Sequence, residues 1–81
     1  MTQNAIRQAV MEALQDAAPG SELSTLQPGE SLREQLDLDS FDFLNLLLRL
    51  HQRLGVEVAE ADYDQVQTLD ALVTYLTQRL P

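Results

Sequence analysis

The sequence predicts an all-α fold: a small bundle of three main helices plus one short helix, with a long loop between the first two helices. Two observations support this. Apolar residues recur at helical spacing in three stretches, and Gly and Pro interrupt the chain between them. At 81 residues, the chain has the length of one small domain, predicted over residues 1–81. Neighbouring helices in such a bundle are mostly antiparallel.

The outer helices follow from periodicity and capping. A first helix is predicted from Gln3 to Ala17, capped near Thr2 and ended by Pro19-Gly20. A last helix is predicted to follow a Thr68 cap and to run to about Arg79. Its apolar stripe consists of Leu69, Leu72, Val73, Leu76 and Leu80.

The long loop over residues 18–39 exceeds the usual length of an unstructured connection. Part of it is predicted to be ordered, because Ser31 and Glu34 have the spacing of a capping box that opens one short turn. Three apolar residues are expected to pin the loop to the core, namely Leu32, Leu36 and Leu38.

The second main helix, predicted from about Ser40 to Leu54 with Gly55 at its end, has more apolar residues than one buried face needs. At about 100° per residue, one arc contains Phe43, Leu46, Leu47, Leu50 and Leu54. An adjacent arc next to Ser40 contains Phe41, Leu44 and Leu48. The second arc is expected to be partly exposed until a partner covers it. The alternative is that both arcs pack against the long loop.

The segment after this helix is predicted to be irregular over Val56-Glu57-Val58, since one alternating triplet is too short for a sheet. Residues 60–66 are expected to form a short acidic helix with Tyr63 and Val66 facing inward.

The composition narrows the range of possible functions. Thirteen acids and five arginines give a net charge of -8, which disfavours nucleic acids and anionic membranes. Such a charge either steers basic partner proteins or only keeps the domain soluble. There is no cysteine, so any thiol that the protein uses is imported. No membrane span or secretory signal is evident, and we expect a cytoplasmic monomer without membrane insertion.

The run Asp39-Ser40-Phe41-Asp42 is the most informative motif. Serine is a favoured N-cap, so Ser40 has a structural role available. An enzymatic role requires a base within about 3 Å, whereas His51, the single histidine, lies about 16 Å farther along the helix axis. We therefore predict that the protein is not an enzyme and that it has no metal site. A transferase with its own base and Mg²⁺ could instead modify Ser40.

The chain resembles the acyl carrier protein family in the order and spacing of its motifs. The sequence LREQL at residues 32–36 precedes Leu38-Asp39-Ser40, and Phe41-Asp42 stands where the family has Leu-Asp. The run LGVEV at residues 54–58 and TLDAL at residues 68–72 complete the resemblance.

The resemblance implies that a phosphopantetheinyl transferase attaches 4'-phosphopantetheine from coenzyme A to Ser40, beside Asp39. The thiol of this arm then holds acyl intermediates for acyl-loading and acyl-transferring enzymes of fatty-acid, lipid or polyketide-type synthesis. The implied docking residues are Asp39, Phe41, Asp42, Leu44 and Leu48. The implied lining of an acyl-chain site is Phe43, Leu46, Leu47 and Leu50.

Several positions depart from the family pattern. The usually acidic second helix has Asn45, Arg49, His51, Gln52 and Arg53, and Asp37 stands where glycine is common. These departures favour a specialised, free-standing bacterial-type carrier with a dedicated pathway. Two alternatives stay open: a peptidyl or aminoacyl carrier of a thiotemplate pathway, and an unmodified acidic helical adaptor in which Ser40 is only an N-cap.

Overall fold

Three long helices form the bundle in the computed structural model of this protein, which describes residues 1–80. The α-helices are α1 (Gln3–Ala17), α2 (Leu32–Gln35), α3 (Ser40–Leu54) and α4 (Leu69–Arg79), and two 3₁₀ helices span Leu23–Thr25 and Glu60–Val66. The predicted all-α class is confirmed, with three main helices and a short acidic helix of the 3₁₀ type. The 3₁₀ turn at Leu23–Thr25 was not predicted.

Local hydrogen bonds explain where the helices begin and end. The Thr2 hydroxyl accepts a hydrogen bond of 3.1 Å from the amide of Ala5 at the start of α1. The Thr68 hydroxyl likewise accepts a hydrogen bond of 3.1 Å from the amide of Ala71 at the start of α4. Gly55 ends α3 in the left-handed conformation, with φ 75°. Glycine adopts this conformation without a Cβ clash. The helix boundaries predicted from these residues are confirmed.

The core lies where α1 packs against both α3 and α4. The face of α3 that was predicted to be buried is buried at Phe43, Leu46, Leu47 and Leu50, whereas Leu54 is half-buried. Each such side chain contributes about 1.5–3 kcal/mol when it is fully buried. The other helices supply fully buried side chains, including Ile6, Val10, Leu14, Leu72, Val73 and Leu76.

The long loop is ordered and is attached to the beginning of α4. The amide of Leu32 donates to the carbonyl of Gln67 at 2.9 Å, and the amide of Asp70 donates to the carbonyl of Pro28 at 3.0 Å. Leu32 and Leu38 are buried, and Leu36 is half-buried. The prediction that these leucines pin the loop to the core is confirmed for Leu32, which belongs to the core, and for Leu36, which packs against it. Leu38 is buried outside that cluster.

A turn between α2 and α3 places the start of α3. The hydroxyl of Ser31 caps α2 by accepting from the amide of Glu34 at 3.3 Å. After α2, Asp37 has φ 54°, a left-handed conformation that glycine adopts freely and that aspartate tolerates better than most residues. The amide of Leu38 then donates to the carbonyl of Arg33 at 2.9 Å, which closes the turn.

A polar contact fastens the 3₁₀ helix Glu60–Val66 to α4. The buried Tyr75 donates its phenolic hydrogen to Asp62 Oδ2 at 2.6 Å. The guanidinium of Arg79 lies 3.4 Å from the centre of the Tyr75 ring and 3.7 Å from the Asp62 carboxylate. The hydrogen bond to Asp62, reinforced by burial, raises the pKa of Tyr75. The sequence did not predict this contact.

Replacing Tyr75 by phenylalanine should therefore lower the free energy of unfolding in a pH-dependent manner. The folded-state pKa of Tyr75 lies above its ordinary value of 10.0. The contribution of its hydrogen bond is thus complete below about pH 10 and is lost as the pH rises through the folded-state value. Urea denaturation of the wild type and Tyr75→Phe between about pH 8 and pH 11 measures this effect.

The stability difference should shrink toward the alkaline end. Tyr63→Phe is the matched control, because the Tyr63 phenol makes no hydrogen bond within residues 1–80. A difference between the wild type and Tyr75→Phe that stays constant with pH would show that the phenolic hydrogen bond is not its cause.

Candidate functional site

Ser40 is the first residue of α3, and Asp39 is the N-cap. Asp39 Oδ1 accepts from the amide of Asp42 at 2.8 Å, and Asp42 Oδ2 accepts from the amide of Asp39 at 3.3 Å. The two carboxylates thus form a reciprocal capping box. The interpretation of Ser40 as the N-cap is wrong, because Asp39 has the extended backbone of a cap, with ψ 179°, and Ser40 is already helical.

This arrangement leaves the Ser40 hydroxyl available. The Ser40 side chain is exposed, and within residues 1–80 no protein group forms a hydrogen bond with its Oγ atom. His51 is exposed on the same helix, about 16 Å farther along the axis, and cannot act as its base. The geometry suits a hydroxyl that an external enzyme modifies.

An apolar patch lies on α3 beside this hydroxyl. Phe41 is 73% exposed, Leu44 45% and Leu48 50%. The expectation of a second, exposed arc is confirmed, and the alternative that both arcs pack against the long loop is wrong. Other side chains of α3 occupy its buried face, and these three lie on the solvent side of the helix.

A shallow groove of about 140 Å³ adjoins the apolar patch. Leu44, Leu47, Leu48 and His51 line it from α3, and Glu57, Val58 and Tyr63 line it from the following segment. The sequence predicted that Tyr63 faces inward but did not place it near the site. A signal was present, since Tyr63 and Val66 share a face of the short helix.

The acids at the start of α3 have no cationic partner among residues 1–80, unlike the acids of α1. Arg53 contacts Glu12 at 2.8 Å and Asp16 at 3.9 Å, and Arg49 lies 4.0 Å from Asp16. The two arginines of the second main helix therefore face α1. Because these pairs are exposed, each contributes about 0–1 kcal/mol to stability.

Two further ion pairs also lie away from Ser40. Arg7 contacts Asp70 at 2.8 Å between α1 and α4, and Arg79 pairs with Asp62. The carboxylates of Asp39 and Asp42, held by backbone amides, thus keep an uncompensated negative charge beside the apolar patch. An acidic rim with an apolar centre favours a basic protein surface as partner.

The predicted lining residues lie together beneath the apolar patch. Phe43, Leu46, Leu47 and Leu50 are all at most 5% exposed. The ring of Phe43 meets that of Tyr63 edge to face, with centroids 6.4 Å apart and an interplanar angle of 86°. Their function as a lining stays a prediction.

Comparison with known proteins identifies the class to which this fold and site belong. The family described as phosphopantetheine attachment site matches residues 4–76. An acyl carrier protein of Rubrobacter xylanophilus is 28% identical over 78 residues, covering 96% of this chain and 95% of the relative. An acyl carrier protein of Chlamydia caviae is 30% identical over 60 residues, covering 74% of this chain and 78% of the relative.

A solved structure supports the same assignment. The solution structure of a chain provisionally described as an acyl carrier protein, from Anaplasma phagocytophilum, superposes with a TM-score of 0.86 at 25% identity. The match covers 98% of this chain and 92% of that chain.

The chain belongs to the acyl carrier protein family, whose phosphopantetheine-attachment domain carries covalent 4'-phosphopantetheine. Members of the family are carriers and not catalysts, and they interact with phosphopantetheinyl transferases and acyl-handling enzymes. Within residues 1–80, none of the helices has the length and apolar character that crossing a membrane requires.

The capping geometry predicts different stabilities for two neighbouring substitutions. Asp39→Ala should lower the free energy of unfolding by about 1 kcal/mol, because α3 loses its cap. Ser40→Ala should change it by less than about 0.5 kcal/mol, because alanine suits the first helical position. Urea denaturation measures both values. Asp39→Asn is the control that retains a capping oxygen without the charge, and an equal loss from Ser40→Ala would contradict this assignment.

Proposed function

We propose that Ser40 is the attachment residue and that the protein carries acyl groups on a phosphopantetheine arm. The observation that carries this proposal is an exposed, unbonded hydroxyl at the first position of α3, with Asp39 supplying the cap. Modification of Ser40 therefore removes no hydrogen bond from the fold. Within residues 1–80 the hydroxyl is held at the junction of an ordered turn and a long helix, where an enzyme can approach it.

The chain itself supplies the position of the hydroxyl and its surroundings. In the reaction, Ser40 Oγ attacks the pantetheine-side phosphorus of coenzyme A and forms a phosphoester bond, while the pyrophosphate P–O bond breaks and adenosine 3',5'-bisphosphate leaves. The transferase removes the Ser40 proton, since within residues 1–80 no group forms a hydrogen bond with Ser40 Oγ. The attached group supplies the thiol that forms thioesters, which this cysteine-free chain lacks. The cap of Asp39 and the turn at Asp37 fix the position of Ser40 at the start of α3.

Intact-protein mass spectrometry tests the attachment site. After incubation with coenzyme A, Mg²⁺ and a broad-specificity phosphopantetheinyl transferase, the wild type should gain the mass of one phosphopantetheine group. Ser40→Ala should gain none, although its stability is close to that of the wild type. A mass increase in Ser40→Ala, or none in the folded wild type with several transferases, would contradict the proposal and favour the adaptor alternative.

The docking surface for partner enzymes in this proposal consists of Asp39, Phe41, Asp42, Leu44 and Leu48. Its support is the combination of three exposed apolar side chains with two uncompensated carboxylates. A large apolar side chain that is exposed in the free protein and buried in a complex contributes strongly to binding. The carboxylates accelerate the encounter with a basic surface.

Substitutions in the apolar patch should weaken docking without unfolding the protein. Phe41→Ala and Leu48→Glu are expected to lower kcat/KM for modification by the transferase by about tenfold. Their free energies of unfolding should stay within about 0.5 kcal/mol of the wild type, because both side chains are exposed. Modification kinetics and urea denaturation measure the two effects.

Gln52→Glu is the matched control for Leu48→Glu, because it adds the same charge at an exposed position of α3 outside the patch. The control should be modified at close to the wild-type rate. If either patch variant unfolds the protein, the patch belongs to the core and not to a docking surface.

We also propose that the protein serves a dedicated pathway of fatty-acid, lipid or polyketide-type synthesis. Its support is the charge pattern of α3, which is acidic at Asp39 and Asp42 and has Arg49 and Arg53 in its second half. Because both arginines pair with acids of α1, the second half of α3 offers little net negative charge to a partner with a basic surface along the whole helix. The single domain over residues 1–81, the cytoplasmic location and the monomeric state stay predictions.

A further inference from the structure

The proposed modification adds a negative charge at a place that is already acidic. A phosphodiester carries one negative charge, and Ser40 stands in the sequence between Asp39 and Asp42. Neither of these carboxylates has a cationic partner within residues 1–80. Because like charges repel each other, a cation of the chain close to Ser40 would offset part of this repulsion.

One cation of the chain is free to take this role. Four of the five arginines pair with acids of another element, namely Arg7, Arg49, Arg53 and Arg79. The sequence has no lysine, and His51 lies about 16 Å from Ser40 along the helix axis. Among the side chains of residues 1–80, Arg33 is therefore the cation that has no acidic partner and lies near Ser40 in the sequence.

Arg33 contacts the turn that leads into Ser40. Its Nε–H group donates to the carbonyl of Leu38 at 3.4 Å, and its side chain is half-buried. Two peptide units separate Leu38 from Ser40, so their Cα atoms are at most about 7.6 Å apart. The contact with Leu38 uses one of the five N–H groups of the guanidinium. The other four make no hydrogen bond within residues 1–80 and can bind phosphate oxygens.

A surface groove of about 450 Å³ adjoins this turn. The residues that line the groove are Ser31, Arg33, Glu34, Asp37, Leu38 and Gln67. Glu34 and Asp37 add negative charge to it, but neither carboxylate forms an ion pair with Arg33. Arg33 thus keeps an unpaired positive charge in an open groove that includes the second residue before Ser40.

We propose that Arg33 binds the phosphate of the attached phosphopantetheine arm. A guanidinium presents two N–H groups side by side in one plane, which matches two oxygens of a phosphate. This contact offsets the charge of the phosphodiester beside Asp39 and Asp42, and it orders the beginning of the arm near the turn between α2 and α3. The inference rests on the proposed attachment at Ser40 and assigns a cofactor-binding role to Arg33.

A thermodynamic cycle between the modification and the arginine tests this contact. The full chain and its Arg33→Gln variant are converted to the phosphopantetheine form with coenzyme A, Mg²⁺ and excess transferase, and intact-protein mass verifies the conversion. An absent mass increase would contradict attachment itself, separately from the role of Arg33. The melting temperatures of the unmodified and modified forms then show whether the effect of modification depends on Arg33.

Modification should shift the melting temperature of the wild type upward by about 2–4 °C relative to its shift in Arg33→Gln. The difference should shrink in about 1 M NaCl, because salt screens charge pairs at the surface. Arg49→Gln is the matched control, since it removes the same charge at a position of α3 that faces α1. Its shift on modification should equal that of the wild type.

NMR spectroscopy reports the contact directly. The guanidinium N–H resonances of Arg33 should move when the wild type is modified. The phosphorus resonance of the arm should differ between the wild type and Arg33→Gln, and it should be the same in the wild type and Arg49→Gln.

Two outcomes would overturn the inference. One is an equal melting-temperature shift on modification in the wild type, Arg33→Gln and Arg49→Gln. The other is a set of Arg33 guanidinium resonances that modification of the wild type leaves unchanged. If circular dichroism shows that Arg33→Gln is unfolded, these wild-type resonances decide the question by themselves.

Discussion

The burial of one face of α3 is the constraint on which the rest of the structure depends. Phe43, Leu46 and Leu50 enter the core from this face, and their burial outweighs any local preference of the helix. Since successive residues are rotated by about 100° about the helix axis, one orientation of α3 about that axis buries these side chains. That orientation leaves Phe41 and Leu44 in solvent. Packing of the interior thus determines the composition of the exterior patch beside Ser40.

The start of α3 depends on a division of roles between adjacent residues. Asp39 and Asp42 satisfy each other's backbone amides, so the helix begins without help from the Ser40 hydroxyl. The same hydrogen bonds hold both carboxylates in place before any partner arrives. The positive end of the helix dipole favours negative charge at this position. One arrangement therefore stabilises the helix, frees the hydroxyl and orients the charges that a basic surface would meet.

The sequence was sufficient for features that depend on local patterns. Periodicity and capping residues gave the bounds of α1, α3 and α4, because each helix has a strong apolar stripe and a suitable cap. Periodicity also separated the buried arc of α3 from the exposed one. The cap of α3 was misassigned by one residue, since aspartate and serine are equally good caps and only the backbone angles at Asp39 distinguish them. Contacts across the bundle, such as Tyr75 with Asp62 and Arg53 with Glu12, depend on how helices pack, and no local pattern encodes that.

The charged side chains that pair within the fold are different from those that lie beside Ser40. Four of the five arginines pair with acids of another element: α1 with α3, α1 with α4, and the 3₁₀ helix with α4. The remaining one, Arg33, donates to the carbonyl of Leu38. The positive charge thus offsets repulsion at the seams of the bundle, and the acids around Ser40 keep their charge for intermolecular contacts. Since exposed pairs contribute about 0–1 kcal/mol each, the fold depends on its apolar core. Charge on the Ser40 side is therefore free to vary with the partner, because the core does not depend on it.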